Sequence, residues 1–147
     1  MHATRLVSHL LAGKGDKVWT IGPDNTVFEA LELMAEKGIG ALLVMQGADI
    51  AGIFSERDYA RLVELEGKES RRTPIEDVMT TEVVFVHPEQ SINDCMAVMT
   101  NRRIRHLPVV DDGRLVGIIS IGDVVKEIIA EQEFTIEQME KYISSSR

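Results

Sequence analysis

The chain has 147 residues, 44% hydrophobic and 27% charged, a composition suited to one globular domain or two small units rather than to a disordered chain. Sixteen Lys plus Arg against 24 Asp plus Glu give a net charge of −8, and aromatic residues make up 5%. That balance repels nucleic acid and anionic lipid in bulk and leaves too few rings for a base-stacking platform, while a locally positive phosphate pocket remains open.

The single cysteine, Cys95, has no internal disulfide partner, no apolar run reaches membrane length, and Met1 to Arg5 lack a secretory apolar core. A cytoplasmic protein without membrane or nucleic-acid contacts is expected.

Along the chain, a short helix is predicted around Leu10-Leu11, then a strand at Val18 to Ile21 and a turn at Pro23. Thr26, with Glu29 three residues on, marks a helix start, and Val27, Ala30, Leu31 and Met34 follow helical spacing. Gly38-Ile39-Gly40 stops that helix. Two strands are predicted next, Ala41 to Met45 and Ile50 to Phe54, turning around Gly47, and Ser55 caps a second helix. Glu66 to Thr73 is a polar connector, and a short helix is expected to begin near Pro74 and to carry Val78-Met79. The same grammar then recurs: a strand at Val83 to Val86, Pro88, a cap at Ser91 with Asp94, and a helix with Ile92, Cys95, Met96 and Met99. Strands His106 to Val110 and Leu115 to Ile119 flank Asp111-Asp112-Gly113-Arg114, a tight-hairpin signal, and Ser120 caps the last helix. Glu131 to Ile143 extends that helix. Thr135 with Gln138 resembles a fresh capping box, so a bend is expected there. Phe134, Ile136, Met139 and Ile143 form an apolar stripe that packs either on its own domain or on a partner.

The recurrence is a duplication. Val18 to Arg61 lies over Val83 to Lys126 without a gap at an offset of 65, with Val18/Val83, Pro23/Pro88, Met34/Met99, Ile39/Ile104, Leu42/Leu107, Val44/Val109, Gly52/Gly117, Ile53/Ile118, Ser55/Ser120 and Asp58/Asp123 identical. The Leu10-Leu11 helix matches Val78-Met79 after about three extra residues within Ala12 to Lys17. Three short strands with helices largely on one face leave an apolar side that a second copy can cover.

This pattern resembles the cystathionine β-synthase (CBS) domain in its tandem form, in a stand-alone protein of bacterial type. The resemblance rests on Gly-Ile-Phe-Ser-Glu-Arg-Asp at 52–58, Gly-Ile-Ile-Ser-Ile-Gly-Asp at 117–123 and Arg-His-Leu-Pro-Val-Val at 105–110. It implies an α/β (α+β-like) fold of two β-α-β-β-α motifs packed through their sheets as a pseudo-twofold pair. The motifs are bounded at 1–66 and 74–130, with a linker at 67–73 and a helical tail at 131–147. It further implies a cleft between the motifs for an adenosine-bearing ligand (AMP, ADP, ATP, NAD or S-adenosylmethionine), a homodimer, and a sensor role acting on a separate regulated protein.

The residues supply chemistry for such a ligand. Asp58 and Asp123 accept but cannot donate, so the two vicinal hydroxyls of a ribose suit them. The competing reading is local: Ser-x-x-acid is also a capping box, closed onto its own main chain. Ser55, Arg57 and Ser120 stand at the same helix starts as phosphate partners. Asn101 to His106 is the one clear basic cluster. Its Arg102 and Arg103 suit a helix end, whereas Arg105 and His106 lie beyond it as further phosphate partners. Ile39, Gly40, Ala41 and Ile53, with Ile104 and Ile118 in the second copy, offer apolar walls and main-chain partners for adenine, or plain core. The resemblance adds Lys17, Val18 and Val83 to that pocket. In the family fold the loop at Arg105 and His106 faces the cleft of the opposite copy; Gly40, Ala41 and Gly122 carry no charge where Arg105, His106 and Arg57 do, so the resemblance implies that the Asp58 cleft is the stronger site. Thr80 and Thr81 offer hydroxyls to the weaker one, or serve as turn residues.

Catalysis finds no support. His2, His9, His87 and His106 lack metal-ligand spacing, one cysteine cannot build a Cys-rich zinc site, and no nucleophile elbow or Walker loop is present. The expected function is a non-catalytic regulatory module that binds an adenine nucleotide without a catalytic cofactor or metal. The alternative is a ligand-free dimerisation or docking scaffold with vestigial pockets.

Overall fold

A computed structural model describes residues 5–15, 17–62, 67 and 69–145. Met1, His2 and Glu66, named above, lie outside them. The chain divides into two compact units, Val18–Val84 and a second that joins Met1–Lys17 to Phe85–Arg147.

In the first unit β1 (Thr20–Ile21) runs parallel to β2 (Ala41–Gln46), which pairs antiparallel with β3 (Asp49–Ser55). Between β1 and β2 lies α2 (Val27–Lys37). It is capped by Thr26, which exchanges bonds with Glu29, and ended by Gly38 at φ +63°. The core gathers Val27, Ala30, Met34, Leu42, Val44, Phe54, Leu62 and Ile75. The six-residue α3 (Glu56–Arg61) follows β3 directly. Pro74 caps a single 3-10 turn, Ile75–Asp77, rather than opening an α-helix.

The other unit repeats this at +65. It has α4 (Ile92–Arg102), β4 (His106–Asp111), β5 (Arg114–Ser120) and α5 (Ile121–Ser145), preceded by α1 (Val7–Lys14). The duplication reaches the register: Ala41 faces Ser55 as His106 faces Ser120, and bulges fall at Val44/Met45 and Val109/Val110. Asp112 (φ +51°) and Gly113 (φ +75°) make the tight hairpin turn.

Each unit also takes a strap from outside its own β-α-β-β-α run. Val27 N–H donates to Thr73 O (2.9 Å) in one, and Ile92 N–H donates to Arg5 O (2.9 Å) in the other. These straps carry the matched residues Met79 and Leu11 onto the two sheets. Met79 lies against Gly52 and Leu11 against Gly117, so close that a Cβ would stand 2.6 and 2.7 Å from their side chains. Close approach, not φ, favours glycine at both positions, most strongly at Gly52, where the Thr80 carbonyl also stands 2.8 Å from the Cβ position.

Two further expectations need correction. The strand at Val83 to Val86 is reduced to one bridge, Val86 to Val109. Val86 donates to Pro108 O and accepts from Val110 N–H, but the preceding bond of a parallel ladder would come from the amide of residue 108. Proline has none, whereas the first copy has Leu43 there and gains a second paired residue. The bend at Thr135 is also absent: α5 runs unbroken for 25 residues. The Thr135 hydroxyl donates back to Glu131 O at 3.0 Å, which satisfies it inside the helix instead of capping a new one.

Candidate functional site

Both Ser-x-x-Asp strings sit where a strand becomes a helix, and both carboxylates fold back onto their own main chain. Asp58 Oδ2 accepts from Ser55 N–H (2.9 Å) and from Ser55 Oγ (3.1 Å), while Asp58 N–H donates to Ser55 Oγ (3.3 Å). Asp123 Oδ2 accepts from Ser120 N–H (2.8 Å), and Asp123 N–H donates to Ser120 Oγ (3.2 Å). The local capping reading is therefore realised at both positions. Oδ1 of each aspartate takes no part in these bonds, so a second acceptor oxygen remains on each half-buried carboxylate.

Around Asp58, Ala41 is buried and faces Ser55 across the sheet, and Gly40 O accepts from Glu56 N–H at 3.1 Å. Ile39 is half-buried, and Arg57 is exposed. Ile53 is half-buried, but its N–H and C=O are both engaged by Thr80 at 2.9 Å. Its main chain is thus committed, and only its side chain remains unengaged. Thr80, Thr81, Val18 and Val83 all belong to this unit.

The Asp123 edge places Ile104, His106, Ile118 and Ser120 half-buried, with Arg105 and Gly122 exposed. Arg105 O accepts from Ile121 N–H at 2.8 Å, the counterpart of the Gly40–Glu56 bond. Lys17 is exposed and falls in the same unit.

One residue the sequence reading missed decides the character of this edge. Lys14, at the end of α1, donates to Asp123 Oδ2 at 2.6 Å and to Ile118 O at 2.8 Å. Burial pushes the Asp123 carboxyl up, but the Lys14 bond, the Ser120 main chain and the Lys14 charge outweigh it, and the net shift is downward. The signal was present in the offset of 68 that matches Leu11 to Met79, because it sets Lys14 over Glu82. Among the described residues, the Asp58 carboxylate accepts hydrogen bonds from Ser55 alone.

The remaining candidates are quiet. Cys95 is fully buried, and burial followed by the Asp94 charge raises its thiol to about 11, so it stays protonated near neutral pH. His87 Nδ1 lies 2.8 Å from Val110 O, and its ring meets Phe85 edge-on. Among the described residues no three His, Cys, Asp or Glu side chains are grouped to hold a metal, and no helix is long and apolar enough to cross a membrane.

Known proteins give these two edges their context. The CBS domain family matches residues 15–65 and 75–130. The chain belongs to the CBS domain family. It carries two CBS domains in tandem. The CBS domain-containing protein CBSX3, mitochondrial, of Arabidopsis thaliana is 36% identical over 146 residues, covering 93% of this chain and 71% of that protein. A solved protein with CBS domains from Burkholderia ambifaria MC40-6 superposes with a TM-score of 0.83 at 52% identity, covering 86% of this chain and 96% of that one. The CBS domain pair of protein MJ0100, solved with 5′-methylthioadenosine and S-adenosyl-L-methionine, shares the fold with a TM-score of 0.77 at 23% identity, over 88% of this chain and 99% of its own.

Proposed function

We propose that this CBS domain pair is a non-catalytic regulatory module that binds an adenosine-bearing nucleotide, AMP, ADP, ATP or NAD, and acts on a separate protein as a cytoplasmic homodimer formed through the pair. The ribose diol is held by Asp58, and in a second, weaker site by Asp123. Ser55, Arg57, Ser120, Arg105 and His106 serve the phosphates, and the half-buried Ile39, Ile53, Ile104 and Ile118 with Ala41 serve the adenine. Lys17, Val18, Gly40 and Val83 complete the adenine-pocket assignment.

The observation that carries this reading is the state of the two carboxylates. Each is fixed by its capping serine through Oδ2, which orients Oδ1 without engaging it. A diol needs an acceptor held still, and a capped aspartate supplies one with no further loss of rotamer freedom.

The same capping bonds favour a second reading, a scaffold whose acids serve only their helices. A thermal-shift panel with the four nucleotides separates the two. A ligand at about 100 times its dissociation constant adds roughly 2.7 kcal/mol, which raises the melting temperature by several degrees in a protein of this size. A shift with at least one nucleotide is expected. No shift with any of them overturns the sensor reading and leaves the scaffold. Within the sensor reading, Arg105→Ala is expected to weaken AMP about tenfold or more and adenosine hardly at all, because a charge-assisted bond contributes about 1.5–3 kcal/mol. Equal losses in calorimetry would remove Arg105 from the phosphate set.

A further inference from the structure

The first turns of α5 pack into their unit, with Val124 fully buried and Glu127 paired to Arg5 at 3.3 Å. A second face of the same helix is open to solvent. Val125 is 38% exposed, Ile129 48%, Ile136 56% and Met139 60%. Together with Gln132 they recur at spacings of four, three, four and three residues, and the next step of four falls on Ile143. That is a seven-residue repeat, with Ile129, Ile136 and Ile143 at one seam position and Val125, Gln132 and Met139 at the other. A stripe with this spacing suits one face of a helix buried along another helix.

We propose that the exposed face of α5, from Val125 to Ile143, pairs antiparallel with the same helix of a second copy of this chain. The register follows from the seam. Setting Gln132 opposite the partner's Ile136 also sets Ile129 opposite the partner's Met139 and Val125 opposite the partner's Ile143, so each seam residue meets another and the contact is its own twofold mate. Charge favours this direction over the parallel one. Flanking the seam on one side are Lys126, Glu133 and Glu140. Antiparallel pairing brings Lys126 beside the partner's Glu140 at both ends. Parallel pairing would instead set these charges against Ile128 and Thr135 on the opposite flank, where they find no opposite charge. The one unfavourable meeting, Glu133 with its own copy, involves exposed side chains, where water screens it. Phe134 lies on the far side of the helix and is not part of the seam.

The test uses the full chain with single cysteines. Cys95 is fully buried, so the parent chain is the control for background cross-linking. Gln132→Cys and Ile136→Cys proteins are purified separately and oxidised under mild conditions, alone and as an equal mixture. At least tenfold more disulfide dimer is expected in the mixture than in either alone. Dimer formed by each variant alone means parallel helices and overturns the proposal, as does the absence of cross-linking in all three samples. Adding Met139→Glu to both chains is expected to reduce the mixed cross-link at least tenfold at an unchanged melting temperature. An undiminished cross-link would show that the seam does not hold the helices together.

Discussion

The two Ser-x-x-Asp edges descend from one sequence and share their capping geometry, yet they differ in what stands beside the acid. At Asp123 the end of α1 delivers Lys14, which bonds both the carboxylate and the Ile118 carbonyl. The matching residue in the other strap is acidic, Glu82. Duplication thus preserved the frame and left the electrostatics free to diverge, because the frame depends on small and apolar positions while the charge comes from the variable straps. An Asp123 oxygen already neutralised by lysine has less to gain from a ligand hydroxyl than the Asp58 oxygen.

That contrast predicts the largest effect. Asp58→Ala is expected to cost one to two orders of magnitude in nucleotide affinity, for loss of about 1.5–3 kcal/mol of charge-assisted bonding. Asp123→Ala is expected to cost less. Isothermal titration calorimetry on the two variants checks the order, and a reversed order would break the ranking of the edges.

The same duplication separates two glycines. A Cβ at Gly117 meets only the end of the Leu11 side chain, at 2.7 Å, which can swing away. At Gly52 it meets Met79 at 2.6 Å and also the Thr80 carbonyl at 2.8 Å, a backbone atom fixed by its pairing with Ile53. Gly52→Ala is therefore expected to destabilise by about 1–3 kcal/mol, and Gly117→Ala by clearly less. Denaturant titration of both measures the difference.

Most of the frame was legible because it depends on local signals that occur twice. Thr26, Ser55, Ser91 and Ser120 cap helices as expected, and Asp112-Gly113 turns where a positive φ is needed at both residues. What escaped was non-local or depended on a missing atom. The Val83 to Val86 segment has strand composition, but its ladder is cut by an absent amide on Pro108. Lys14 carries no motif, and only the fold brings it to a carboxylate 109 residues away. The capping and ligand readings of Asp58 and Asp123 could not be separated in sequence because one Ser-x-x-Asp string encodes both.

Lys14 also sets a pH dependence. With the Asp123 pKa lowered in the folded state, its contribution to stability is complete above the unfolded value of about 3.9 and is lost as pH falls through the lower folded value. Lys14→Met removes the bond and charge that oppose burial, so the variant has less of this stabilisation to lose and loses it over a narrower range below the unfolded value. Thermal melts between pH 3 and 7 are expected to show the variant less stable near neutral pH and with a shallower acid limb, so that the two proteins differ least at the acid extreme. Coincident acid limbs would mean that the Lys14 contact does not hold Asp123 ionised.

The smallest effect concerns the two helix ends. Gly38 ends α2 at φ +63°, where glycine is unstrained, but α4 ends on Arg103 at φ +55°. A side chain in the left-handed region costs about 1–2 kcal/mol, and replacing it with glycine relieves that cost while adding about 0.4–1 kcal/mol of unfolded-state freedom. The two nearly cancel, with relief the larger, so Arg103→Gly is expected to raise stability by a fraction of a kcal/mol up to about 1 kcal/mol. The reverse exchange, Gly38→Arg, incurs the strain, so it is expected to destabilise by a similar amount. Equal and opposite changes in denaturant midpoint would show that backbone conformation alone distinguishes the two ends. A loss of stability in Arg103→Gly would show instead that the Arg103 side chain contributes more to the fold than its backbone strain costs.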